Sequence, residues 1–255
     1  MTGQAADGSA SDLCMTHINK TSVLLEFLRI EKKGLALNVG CGAGQQTKKM
    51  IEAGFNVIST DFDIILLKEA QKITNNIVLA DAEHLPFKES VFDYVVCMDV
   101  LEHLNDDNKC IVDIYDVIKS SGKFILSVPM LNYPFVYDPI NKIRTSLNLK
   151  PIPIGLWAWE HKRLYDEEQI TGKINSKFDI IEQKKISSFF VALFENYIPY
   201  IFSYKIKLKR IGSPPKILKK LANTICKIDE KYFFENMGYI NLALKTRPIQ
   251  FQPKS

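Results

Sequence analysis

A chain of 255 residues, 46% hydrophobic and 24% charged, has the make-up of a folded globular protein with room for one sizeable α/β domain or a core carrying a large insertion. No run of 18 apolar residues occurs, which argues against a membrane-spanning helix. The five cysteines (Cys14, Cys41, Cys97, Cys110 and Cys226) are odd in number and scattered, which argues against a disulfide framework or a structural zinc site and for a reducing cytoplasm.

The opening MTGQAADGSASDLC is small and polar and lacks the basic and apolar regions of a secretory signal. Residues 1–20 are expected to form a flexible leader, followed by a single domain over 21–255. Val23, Leu24, Phe27 and Leu28 share a face in a first helix over Thr21 to Leu28. Leu35 to Val39 reads as a short buried strand that runs into Gly40, Gly42 and Gly44. A helix from Gln45 to Ala53 follows, with Gly54 at its end. Phe55 to Thr60 predicts a second strand and Asp63 to Ile73 a helix. Ile77 to Ala80 and Phe92 to Met98 predict two more strands. Asn105 to Lys119 is amphipathic, Gly122 lies beyond its end, and Lys123 to Val128 reads as a fifth strand. Lys177 to Ile186 and Tyr239 to Thr246 predict strands six and seven. Strands and helices alternating over short connections imply a parallel sheet covered on both faces, with a ligand at the carboxyl ends of the strands.

Beyond Pro129 this rhythm breaks. Residues 130–160 contain four prolines and read as irregular. Residues 187–237, between strands six and seven, read as a helical insertion, and both segments would lie on the substrate side. Phe189 to Tyr204 carries seven aromatic residues. Between Lys205 and Lys231 nine Lys/Arg face only Asp229 and Glu230, although the whole chain carries +4, so the basicity is regional. This segment suits a lid over a pocket, or peripheral membrane contact through 189–231 at the inner face of a membrane. Basic residues among aromatics also suit nucleic acid, but the low overall charge and the lack of a nucleic-acid module argue against it.

The chemistry gathers at the strand ends. Glycines after strand one allow a sharp turn and close approach to a ligand, and the next helix offers free N–H groups. Asp61 ends strand two, where an acid can accept both hydrogen bonds of a ribose diol. Asp81 ends strand three, placed to accept from an adenine amino group, and strand four reaches the same edge at Met98-Asp99. G-x-G-x-x-G is not completed, since position 45 is Gln45, and no Walker lysine follows. These features argue against a dinucleotide oxidoreductase and an ATPase.

LNVGCGAG, STDFD, DAEHLPF, FDYVVCMDVLEHL and SSGKFILSVP, in this order, resemble the successive motifs of class I S-adenosylmethionine (SAM)-dependent methyltransferases over Leu35 to Pro129. WEHKRLY at 159–165 resembles them more weakly. The resemblance implies a three-layer Rossmann-like α/β fold with a seven-stranded, mostly parallel sheet of order 3-2-1-4-5-7-6, strand seven antiparallel. It also implies SAM as cofactor, held by Asn38, Gly40, Cys41, Gly42, Gly44, Asp61, Phe62, Asp81, Ala82, and Met98 or Asp99. The family usually carries an acid where this chain has Asn38, which hydrogen-bonds but brings no charge to the SAM ammonium.

Methyl transfer is an in-line displacement that mainly needs alignment, and a base only for a weakly acidic hydroxyl or a protonated amine. His103 and His161 are the candidates for that base. Asp99, Glu102, His103 and His161 are also types that bind divalent cations, but the Glu-His pair is common in metal-free methyltransferases, so no metal is assigned. The expected activity is methyl transfer to a small or lipid-like, amphipathic acceptor, at oxygen before carbon or nitrogen. The rival readings are a SAM-fold scaffold without catalysis and a membrane-surface adaptor.

Overall fold

A computed structural model describes residues 15–29, 32–131, 139–150, 161–187, 190–191, 224–229, 231 and 238–247. The elements are α1 (Met15–Leu28), β1 (Leu35–Val39), α2 (Gln45–Glu52), β2 (Asn56–Asp61), α3 (Ile64–Ala70), β3 (Ile77–Leu79), β4 (Phe92–Met98), α4 (Asp107–Val117), β5 (Ile118–Pro129), α5 (Pro139–Ser146), α6 (Glu167–Asn175), β6 (Phe178–Ile186) and β7 (Tyr239–Thr246). Among the described residues the strands form a seven-stranded sheet of order β3-β2-β1-β4-β5-β7-β6, the order expected from the sequence.

Local chemistry explains the elements that build the site. β1 and β4 are apolar along nearly their whole length and are buried, as central parallel strands must be. Both pair parallel with their neighbours: Asn38 lies opposite Ser59 and Val96, and Val39 opposite Thr60 and Cys97. On the outer side, Asp61 lies opposite Leu79. α2 ends at Ala53, and Gly54 takes a φ of +95° that a side chain would resist. Asp63 caps α3 by accepting from the Ile65 amide at 2.7 Å. Asp106 caps α4, accepting from the Lys109 amide at 3.1 Å, and Cys110, Ile111, Ile114 and Val117 form that helix's buried stripe.

Several boundaries differ from the expectation. α1 starts at Met15, inside the stretch expected to be a flexible leader. α4 stops at Val117, and β5 begins at Ile118 rather than Lys123. Gly122 is therefore a strand residue instead of a helix stop. A side chain there would press on Ile118 and on the Asp93 carbonyl. The supposedly irregular 130–160 contains α5, and α6 was not anticipated.

The chain divides into two compact units. One comprises Phe27–Leu126, Glu168–Gln183 and Leu242–Ser255, and the other Met1–Glu26, Ser127–Glu167 and Lys184–Asn241. In the first unit the core holds Leu37, Val39, Met50, Phe92, Val95, Leu101, Phe124 and Phe178, with Phe87 edge-on to Phe92 and Tyr115 edge-on to Phe178. In the second unit the buried Lys20 ammonium sits 3.2 Å from the Tyr239 ring centroid, and Asn19 donates to Ser187 Oγ at 3.3 Å.

Candidate functional site

The register of the central strands brings the ends of β1, β2 and β4 level. One step beyond the last β1 pairs lies Gly40, beside the positions of Asp61 and Met98. Gly40 has a φ of +68°, and a Cβ there would overlap Val100 Cγ2, so only glycine fits. The chain then turns tightly. The Cys41 amide donates to the Thr60 carbonyl at 2.8 Å and the Gly44 amide to the Cys41 carbonyl at 2.9 Å. Gly42 differs from Gly40: its φ is +53°, and a Cβ built there meets nothing within 4 Å. The face of the loop at Gly42 is open. Gly44 caps α2 without a side-chain hydrogen bond.

Asp61 locks this loop to β2. One carboxylate oxygen accepts from the Gly42 amide at 2.8 Å and the other from the Asp63 amide at 2.9 Å. Each oxygen keeps a second lone pair for a ligand. Burial raises the Asp61 pKa above the ordinary carboxylate value, against the lowering effect of those amide bonds. Phe62, next in sequence, is 80% exposed. Burial also pushes the Cys41 thiol up to about 12, so it is not a nucleophile at neutral pH.

Asn38 is buried and faces α2 and β2. Its amide donates to Thr47 Oγ1 at 2.9 Å, and Thr47 Oγ1 and Ser59 Oγ are hydrogen-bonded to each other at 2.7 Å. The side chain thus ties three elements together.

Asp81 is held by its own turn, one oxygen accepting from the Glu83 amide at 2.9 Å and the other 3.7 Å from His84 Nδ1. Ala82 beside it is buried. The rest of this loop is fastened to the approach to α4. Glu83 Oε1 accepts from the amides of Asn105 (2.7 Å) and Asp106 (3.2 Å), Lys109 Nζ meets His84 Nε2, and the Leu85 amide donates to Asp113 at 2.9 Å. Sequence reasoning did not single out Glu83. Its partners lie over twenty residues away, and no local signal announces the pairing.

At the end of β4 Met98 is buried, and Asp99, just past it, takes a left-handed φ of +59°. Such strain in a non-glycine residue tends to mark functional positions. Leu101–His103 forms a 3-10 turn. Glu102 is fully buried, and the His103 amide bonds the Val100 carbonyl at 2.9 Å. A hydrogen bond with Cys110 and full burial raise the Cys97 thiol well above its usual range. The sequence-selected cofactor residues and His103 all belong to one unit, and His161, half-buried, belongs to the other.

Residues 37–126 match the family model described as a methyltransferase domain. That stretch is a methyltransferase domain. An uncharacterised protein of Methanocaldococcus jannaschii is 37% identical over 107 residues, 42% of this chain and 46% of that protein. A ubiquinone biosynthesis O-methyltransferase of Hydrogenovibrio crunogenus is 29% identical over 133 residues, 49% and 55% of the two chains. The chain therefore spans about half the length of these curated relatives. In fold it is similar to phosphoethanolamine N-methyltransferase 2 of Haemonchus contortus in complex with SAM, with TM-score 0.57, 17% identity, and coverage of 90% of this chain and 52% of that one.

The cofactor that goes with a methyltransferase domain of this fold is SAM, and the residues here fit it. The open face at Gly42 is a cradle that a Cβ would fill, Asp61 keeps free lone pairs beside it, and the exposed Phe62 follows.

Proposed function

We propose that the chain transfers a methyl group from SAM to a small or amphipathic acceptor, with oxygen as the receiving atom. The open glycine loop with Asp61 beneath it carries this reading. When bound, SAM supplies an electrophilic methyl on a sulfonium, whose departure as a neutral thioether needs little help. The chain's own work is then alignment. Gly40, Cys41, Gly42 and Gly44 hold the methionine portion, with Asn38 behind them, and Met98 or Asp99 borders its amino-acid end. Asp61 and Phe62 take the ribose and the neighbouring face, and Asp81 with Ala82 the adenine edge. His103 and His161 are the bases for an acceptor hydroxyl. The ubiquinone O-methyltransferase among the relatives supports oxygen and an isoprenoid-like acceptor.

No helix among the described residues is long and apolar enough to cross a membrane. The proposed setting is the cytoplasm, with peripheral membrane contact through 189–231, most of which lies outside the described residues. The lid segments 130–160 and 187–237 fall largely outside them too.

A scaffold without catalysis is the second reading. The Asn38 amide committed to Thr47 favours it, because the position carries no acid for the SAM ammonium. Calorimetry with SAM and with its demethylated product separates the two. Micromolar binding of both supports the transferase, and binding of neither overturns it.

A further inference from the structure

The loop from Asp81 to Phe87 and the segment from Leu104 to Asp106 follow different strands, yet one side chain fastens them together. Glu83 Oε1 accepts from two consecutive amides, Asn105 at 2.7 Å and Asp106 at 3.2 Å. The main-chain amide of the same residue donates to Asp81 Oδ1 at 2.9 Å. Glu83 thus holds the Asp81 carboxylate through its backbone, and the chain just past His103 through its side chain. All of these residues belong to one unit.

The chemistry of the tie is directional. The amides of Asn105 and Asp106 point at one acceptor immediately before the start of α4, where Asp106 itself turns to cap the helix. A carboxylate accepting from backbone N–H groups makes stronger hydrogen bonds than a neutral acceptor. Both bonds reach the same oxygen, so a glutamine in the same rotamer still makes them with its amide oxygen, and an alanine makes neither.

We propose that Glu83 is a positioning residue that couples SAM binding at Asp81 to the order of the segment entering α4. This rests on the reading of the site as a SAM site. Two sites that bias one element are coupled reciprocally. SAM held at Asp81 tightens residues 104–106, and loosening residues 104–106 weakens SAM.

Calorimetry with SAM on wild type, Glu83→Gln, Glu83→Ala, Asp81→Asn and the Asp81→Asn/Glu83→Ala double variant tests the coupling, together with amide hydrogen exchange at Asn105 and Asp106. The expected result is about tenfold weaker SAM binding in Glu83→Ala, within the usual range for coupled sites, and near-wild-type binding in Glu83→Gln. Because Glu83 acts through Asp81, Glu83→Ala adds less than twofold in the Asp81→Asn background. In the wild type, SAM slows exchange at residues 105–106, and in Glu83→Ala it does not.

Three results overturn the proposal: full affinity in Glu83→Ala, an undiminished tenfold loss in the Asp81→Asn background, or equal loss in Glu83→Gln. If wild type does not bind SAM, the functional reading fails by itself. Exchange at residues 105–106 in the ligand-free Gln and Ala variants then still reports whether Glu83 holds them, and equal exchange in both ends the proposal as well.

Discussion

Gly40 and Gly42 are separated by one residue and share left-handed backbone, but they carry opposite constraints. At Gly40 the obstacle is the protein itself, since any Cβ overlaps Val100. Gly40→Ala is therefore expected to cost about 2 kcal/mol or more, from overpacking and positive φ together, read as a lower midpoint in urea. At Gly42 the protein leaves room but the φ of +53° strains any side chain, so Gly42→Val costs about 1–2 kcal/mol of stability from the backbone alone and, in addition, lowers SAM affinity at least about tenfold. Equal SAM binding by Gly42→Val and wild type would remove Gly42 from the cofactor cradle.

Asp61 adds a pH dependence at the same scale. Burial raises its folded pKa above the ordinary value of 3.8, so the folded protein holds this proton more tightly than the unfolded chain does. Its ionisation therefore lowers stability as pH rises from 3.8 through the raised value, and the loss is complete above that window. A ribose diol donating to the carboxylate favours the ionised form. SAM affinity should accordingly rise across the same window and then level off. Calorimetry over a pH series starting near 4 checks this, with Asp61→Asn expected to bind weakly and without that slope.

At the scale of elements, the half of the fold that positions the site was legible because each strand there ends in a residue with visible chemistry: glycines after β1, acids after β2 and β3. β1, β4 and β7 fell at the expected residues, since continuous apolar runs mark buried strands regardless of context. What was missed lacked a local signal. α6 buries only Ile170 and Ile174 and is interrupted by Gly172, half of a readable stripe. α5 opens on Pro139, which suits a first helical turn but looked like a breaker among other prolines. Long-range ties were equally silent, including Glu83 to residues 105–106 and Asn38 to Thr47.

The Asn38–Thr47–Ser59 chain joins β1, α2 and β2 through buried hydrogen bonds. Asn38→Ala removes the donor to Thr47 Oγ1 from this buried chain and should destabilise by about 1–3 kcal/mol. SAM affinity should change less than about threefold (~0.6 kcal/mol), because the amide is engaged with Thr47. Paired urea melts and calorimetry distinguish this from a direct cofactor role, in which affinity would fall more than stability.

For the whole molecule, the two units suggest a division of labour. Every sequence-selected cofactor residue lies in the unit containing Phe27–Leu126, whereas the segments expected to face the acceptor lie in the other, with His161. A ligand that binds only the folded state adds about 2.7 kcal/mol of stability at a hundred times its Kd. For a chain of this size that is a rise of about 5–10 °C in Tm. The location of the added protection is more telling than its size. SAM alone should slow hydrogen exchange at 38–44, 61–62, 81–85 and 98–106. A true acceptor, added with the demethylated cofactor, should add protection within 127–167 or 184–241. An acceptor that is methylated yet protects only the amides already covered by SAM would assign both roles to one unit. The second unit would then be left with a part outside the reaction, such as contact with a membrane surface.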